Sequence, residues 1–252
     1  AGAVTITDST GGVTFNANVD STTFTIAKAL DAAVITFTGD TVDITTAFNP
    51  NIATGVGADD TSDAYSVTIN TRAFNAAGDT NFLNKGTVTL GNEAADVLTF
   101  TGGLATTGNT SNPATVNAAG TINTTDTRMD IGAVTLTAAT TFDTGNAAAG
   151  ILNIGAVTSQ TNALTLDSGS TALATMGLTS MVDASGGLTI RDSGGLATIG
   201  DIGSGTAGAV TITDSTGGVT FNANVDSTTF TIAKALDAAV ITFTGDTVDI
   251  TT

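Results

Sequence analysis

The sequence predicts an all-β chain wound as a β-solenoid, a parallel β-helix whose stacked coils form one continuous rod. Three observations carry that prediction. Residues 1–46 recur without a single difference as residues 207–252, an offset of 206. A short apolar–Thr–apolar triplet returns along the whole chain, and turn residues follow nearly every copy. The 252 residues also hold no Trp, one Tyr and 11 Phe, which suits a thin core of Val, Ile, Leu and Phe better than a thick one.

Internal repetition is read first because it dictates architecture. The identity defines residues 1–206 as one complete tandem unit and 207–252 as the start of the next, so the chain is expected to be a window on a longer array. It lacks an initiator Met and a leader peptide, so signals that target the parent protein are expected elsewhere. No run of 18 apolar residues is present, so no membrane-spanning helix is expected.

The triplets come in order as Val4-Thr5-Ile6, Val13-Thr14-Phe15, Phe24-Thr25-Ile26, Ile35-Thr36-Phe37 and Val42-Asp43-Ile44. They continue as Val67-Thr68-Ile69, Val88-Thr89-Leu90, Leu98-Thr99-Phe100, Val134-Thr135-Leu136, Leu164-Thr165-Leu166 and Leu188-Thr189-Ile190. A period of two places both apolar side chains on one face of a strand and the middle residue on the other. The core is therefore expected to include Val4, Ile6, Val13, Phe15, Phe24, Ile26, Ile35, Phe37, Val67, Ile69, Leu164, Leu166, Leu188 and Ile190. Thr5, Thr14, Thr25 and Thr36 are expected to face outward. β-Branched residues dominate, as short strands prefer.

Asp8-Ser9-Thr10-Gly11-Gly12, Gly39-Asp40, Asp167-Ser168-Gly169 and Asp192-Ser193-Gly194-Gly195 punctuate the triplets as turns. Residues 26–33 would suit one helical turn, but strand patterns flank them and the run is too short. It is read as a strand entering a turn. Triplet starts lie 9 to 11 residues apart early in the chain and 22 to 24 apart later. That spacing predicts two or three strands per coil of about 20 to 24 residues. A 206-residue unit is then expected to make about nine or ten coils and to relate to the next by an advance of about 43 to 48 Å with a small rotation. Tandem β-sandwich domains are the competing architecture, since 206 residues could hold two, but sandwiches prefer longer strands. Two stretches, 47–64 with Pro50 and 103–130 with Pro113, break the rhythm and are expected to be outward loops or irregular coils.

The stretches Gly2-Ala3-Val4-Thr5-Ile6-Thr7, Ile131-Gly132-Ala133-Val134-Thr135-Leu136 and Gly186-Gly187-Leu188-Thr189-Ile190-Arg191-Asp192-Ser193-Gly194-Gly195 resemble the giant β-strand-repeat surface proteins of bacteria. Those are similar in turn to filamentous-haemagglutinin-like and autotransporter adhesin stalks. The resemblance is one of composition, short strands and Gly-Asx turns, and it extends over the whole chain. It implies a right-handed parallel β-helix outside the cell, at its surface, and names no receptor.

Charge narrows the partners. Five of the 23 acidic and one of the six basic residues fall in the second copy, leaving 18 and five, a net charge of −13 per unit. Such a polyanion argues against nucleic acid and anionic membranes as partners. Adjacent copies of the repeat and neighbouring fibres are the expected partners, with surface or polysaccharide contacts as further candidates. Side-by-side packing is expected to need divalent cations or high salt.

The residue inventory argues against catalysis: there is no His, no Cys and a single Glu, Glu93. General bases, nucleophiles and zinc sites draw mainly on those types. No enzyme activity and no cofactor are expected, calcium being the one candidate ion. Its candidate ligands are Asp59, Asp60 and Asp63, hard oxygens on a Gly-flanked stretch, against the plainer reading of a solvated acidic turn. Thr-x-Thr stretches raise a different class of function, ice binding by an aligned hydroxyl rank. Their separations wander along the sequence, which argues against a single flat array. The expected role is a structural extracellular filament or sheath, with an adhesin stalk as the alternative.

Overall fold

A computed structural model describes residues 2–27, 32–50, 64–108, 111–234 and 239–251. The first third of the chain supplies β1 (Val4–Ile6), β2 (Val13–Phe15), β3 (Val19–Ile26), β4 (Val34–Phe37), β5 (Thr41–Asn49), β6 (Ser66–Ile69), β7 (Ala73–Ala76) and β8 (Thr80–Asn81). There follow β9 (Thr87–Leu90), β10 (Val97–Phe100), β11 (Leu104–Ala105), β12 (Thr115–Thr124), β13 (Met129–Ile131), β14 (Val134–Asp143), β15 (Leu152–Thr158) and β16 (Leu164–Asp167). The last third holds β17 (Met176–Val182), β18 (Leu188–Asp192), β19 (Ala197–Ser204), β20 (Gly208–Ile212), β21 (Val219–Phe221), β22 (Val225–Ile232), β23 (Ile241–Phe243) and β24 (Val248–Ile250).

Every pairing among these strands is parallel, and most strands inside the stack pair with one above and one below. Three ladders of core residues run the length of the rod, one per face. The first face carries Val13, Ile35, Val67, Val88, Val116, Val134, Val157, Met181, Ile202, Val225 and Val248. The second carries Val19, Val42, Phe74, Leu98, Ile122, Phe142, Leu166, Ile190, Ile212 and Ile232. The third begins Val4, Phe24, Phe48 and resumes through Leu104, Met129, Leu152, Met176, Ala197, Val219 and Ile241. Strand β8 bridges its two parts, beside Leu104 in register and under the Phe48–Phe82 ring contact at 6.1 Å. This is a β-solenoid of about ten turns, not a pair of sandwiches.

All the triplet residues expected inside are on these ladders or beside them. Ile6, Phe24, Ile26, Ile35, Phe37, Val67, Ile69, Leu164, Leu166, Leu188 and Ile190 are buried, while Val4, Val13 and Phe15 in the first coil are half-buried. Thr5 and Thr14 are exposed and Thr25 and Thr36 half-buried on the outer surface. The core is thin but contains a run of rings: Phe15, Phe24, Phe37, Phe48, Phe74, Phe82 and Phe100 touch in series with centroids 5.0 to 6.4 Å apart. Edge-to-face contacts dominate that run, as ring quadrupoles favour. Between Phe142 and Phe221 the same interior is filled mainly by Leu, Ile, Met and Val.

The identical copies give an internal control on burial. Phe37 is 0% exposed and Phe243 39%; Ile44 is 1% exposed and Ile250 47%. The residues are the same, and what differs is the coil above: Phe74 and its neighbours cover the first copy. Each coil's core is thus completed by the next coil, as quasi-one-dimensional stacking requires.

The copies also correct the expected geometry. Val13 lies on the first face and its copy Val219 on the third; Val19 lies on the second and its copy Val225 on the first. Ile6 belongs to the third face and its copy Ile212 to the second. Nine coils separate Val13 from Val225, and Val219 comes one face earlier, so 206 residues take eight and two-thirds coils. The expected nine or ten coils and small rotation give way to an advance of about 42 Å at about 4.8 Å per coil. The accompanying turn is one third of a circle.

The two rhythm-breaking stretches differ from expectation. The 103–130 stretch contains most of a regular coil, with β11, β12 and the first residues of β13 paired on both sides. Pro113 sits two residues ahead of β12, where its missing N–H breaks no ladder. In the 47–64 stretch, β5 runs on to Asn49, and the buried Pro50 carbonyl accepts the Tyr65 hydroxyl. Residues 51–63 lie outside the described residues, as do 28–31 in the stretch read as a turn.

Candidate functional site

Asp59, Asp60 and Asp63, the calcium candidates, lie outside the described residues. Among the described residues, no group of three or more His, Cys, Asp or Glu is arranged to hold a metal ion. The charged feature the structure does assemble is a row at the end of the second face. Asp143, Asp167 and Asp192 are stacked in register across β14, β16 and β18, with Asp214 in the following coil. Stacked strands bring like charges to within about 5 Å, so the row needs neutralising.

Arg191 does this through a bulge. The register slips by one residue between Leu166 and Asp167, which inserts Arg191 into β18 as an extra residue. Its side chain reaches back across two coils, the Nε donating to Asp167 and the Nη2 to Asp143 Oδ2 at 2.6 Å. Lys234 pairs with Asp214 one coil further on. Burial opposes the Arg191 charge, yet its bonds to Asp167 and Asp143 hold the guanidinium above its ordinary range. Asp192 is pushed upward, first by burial and then by the charges of Asp167 and Asp214. Its Oδ1 is enclosed without a hydrogen-bond partner.

Inside that row runs a second one, made of hydroxyls. Thr124, Thr144, Ser168, Ser193 and Ser215 are buried at the same corner. They donate to the carbonyls of Thr127 (2.5 Å), Gly150 (2.6 Å), Ala174 (3.0 Å), Gly195 (2.7 Å) and Ser193 (3.2 Å), tying the corner together. Outside, Gly145 and Gly169 donate their N–H groups to Asp143 and Asp167 Oδ1 at 2.9 and 2.8 Å. The Asp167-Ser168-Gly169 turn thus divides its labour, with Asp outside, Ser inside and Gly at positive φ. At Gly169 (φ 72°) a Cβ would come within 2.1 Å of the Gly145 carbonyl oxygen, so no side chain fits.

Hydroxyl ladders cover much of the outer surface. On the second face Thr121, Thr141, Thr165, Thr189, Thr211 and Thr231 occupy six successive coils in register. On the first face Thr14, Thr36, Thr68, Thr89, Asn117, Thr135 and Thr158 do the same. This corrects the inference drawn from wandering separations. Connections of different length absorb the variation, while the β register restores alignment. Beside the first-face ladder runs a second outward column, Val34, Ser66, Thr87, Thr115, Ala133, Ala156 and Ser180. Along the second face the equivalent outward column reads Asp20, Asp43, Asn75, Thr99, Asn123, Asp143 and Asp167.

A shallow open groove of about 340 Å³ lies between the third and first faces, lined by Asn153, Gly177, Thr179, Thr198, Gly200 and Asn222 among others. Its lining is uncharged. No helix among the described residues is long and apolar enough to cross a membrane. Compared with known proteins, the chain matches no family model, no curated protein and no solved structure. The likeness to haemagglutinin-type stalks therefore reaches as far as the solenoid architecture.

Proposed function

We propose that the chain is part of a structural extracellular filament or sheath, a rod whose work is mechanical and whose partners are copies of itself. The observation that carries this reading is that the repeat re-enters the same stack. A residue-identical segment folds again one third of a turn short of nine full coils, its strands pairing on the coils before it in the same parallel register. A sequence that repeats without change and completes itself by stacking suits a fibre of many units. Asp143 and Asp167 on Arg191, and the five hydroxyls buried at their corner, are bonded within corner geometry, which supports a stabilising role for them rather than a chemical one.

An adhesin stalk differs only in carrying a separate binding domain at its tip, and the same rod would serve it. The cell-surface location follows from this reading and is tested by protease shaving and antibody labelling of intact cells. Fibre diffraction of the parent assembly tests the rod itself. A meridional reflection near 4.8 Å with a longer period near 42 Å is expected. A beaded rod without the short spacing, or degradation of a polysaccharide by the purified chain, would overturn the reading.

A further inference from the structure

The chain carries a net charge of −17, yet along most of the rod one face presents no charged strand residue among the described residues, until Asp201 follows Ser180 in β19. On the first face, the outward positions of the strands from β2 to β17 hold Thr, Ser, Ala, Val and Asn only. The second face over the same coils carries Asp20, Asp43, Asp143 and Asp167. Thr36, Thr68, Thr89 and Thr135 form a straight rank on the first face, and Val34 stands 42% exposed in the column beside it. This surface is a flat grid of methyls and hydroxyls, two columns wide.

We propose that the first face is the lateral self-association surface of the rod, and that its occupant is the same face of a second copy. The inference rests on the filament reading above and names the contact that bundles filaments. Three arguments favour a second copy over another partner. Like-charged rods approach with least repulsion through uncharged strand surface, which this face offers over successive coils, so electrostatics favours it. Identical flat β faces with small side chains interdigitate into dry interfaces, and two facing copies share the same coil spacing. The grid measures roughly 40 Å by 12 Å, so a facing pair buries about 1,000 Å², the lower bound for a specific interface.

The contact is isologous, each copy offering the same patch. Because it excludes charge, it needs no divalent ion. That revises the cation requirement expected from net charge, leaving salt to modulate approach rather than to make the contact. The third-of-a-turn offset between copies of the repeat adds a consequence. Wherever the repeat continues, successive units turn this face in three directions, so bundles grow as a lattice and not as a flat ribbon.

Sedimentation equilibrium of the 252-residue chain tests the proposal. The expected result is reversible dimerisation that survives chelator, weakened about tenfold or more by Thr68→Lys with Thr89→Lys. That variant lowers the net negative charge, so loss of dimer points to the face and not to overall repulsion. Thr165→Lys on the second face serves as the matched control and should leave dimerisation unchanged. Since the chain has no Cys, single Cys substitutions along the first-face rank should include one near the two-fold axis that forms an intermolecular disulfide under mild oxidation, and Thr165→Cys should not. Circular dichroism confirms that each variant keeps its β fold before it is scored. Three results would overturn the proposal: a monomer at every concentration, dimers indifferent to the Lys pair, or a first face that shapes ice or adsorbs to insoluble glycan without self-association. Each of these leaves the axial diffraction test of the filament reading untouched, so the two ideas fail separately.

Discussion

Asp192 is the least comfortable residue described, a half-buried carboxylate between Asp167 and Asp214 with one oxygen enclosed and unpartnered. Its folded pKa is raised, so between the ordinary Asp range and the raised value the native state keeps a proton that the unfolded chain releases. Stability attributable to this group is therefore full below the ordinary Asp range near about 3.9 and is lost as pH rises through the raised value. Asp192→Asn should accordingly raise Tm at pH 7 and change it little at pH 3, read by thermal melts at both. Arg191 acts in the opposite sense. Arg191→Ala leaves Asp143 and Asp167 facing each other across adjacent coils. With the guanidinium 45% exposed, solvent limits the cost to about 1 kcal/mol. Urea titration at low and high salt checks this, the loss shrinking as salt screens the row. At the inner side of the corner, Ser168→Ala should cost about 1 kcal/mol through the lost hydroxyl bond, the Ala174 carbonyl keeping the Gly195 N–H.

At the scale of a strand, the alternation of faces decides what a substitution does. In β19, Ile199 is fully buried while Thr198 stands half-exposed beside it. Ile199→Asp buries an unpaired charge among stacked apolar rungs and should cost about 4 kcal/mol or more, enough to prevent folding of the coils around it. Thr198→Asp should shift stability by less than about 1 kcal/mol. Equal tolerance in a denaturation assay would mean the faces are misassigned. The corners obey a different rule from the strands. β3, β5, β12, β14, β15, β17, β19 and β22 each run across a corner and serve two faces, often through a bulge or register shift. That is why strands of 7 to 10 residues coexist with strands of 3 in one ladder.

For the whole molecule, the mismatch between repeat and coil matters most. A unit of eight and two-thirds coils closes on itself only after three units, so a fibre with this repeat should show a long period of about 125 Å beside the unit advance of about 42 Å. Electron microscopy with helical averaging measures both, and a long period equal to the unit advance would contradict the ladder assignments. The same mismatch spreads each unit's acidic and uncharged faces around the axis. Over one unit the rod is lopsided in charge, and over three it is balanced.

The period-two triplets by themselves determined the strands, their inward residues and the solenoid class, because alternation sorts side chains within a strand without reference to its neighbours. Turn residues such as Asp167-Ser168-Gly169 marked the corners for the same local reason. The chain could not reveal which corners stack. Connections between rungs of the first face span 18 to 32 residues, so sequence spacing hid its Thr ladder. The Asp143–Asp167–Asp192 row is almost evenly spaced, yet only the bulge at Arg191 brings its third member into register. Nor could identity between residues 1–46 and 207–252 disclose the third-of-a-turn offset. That offset is a count of faces, fixed only when every strand finds its partner above and below. Local chemistry writes the strand, whereas register is a long-range quantity set by hydrogen bonds between coils, and it alone decides what the outer surface presents.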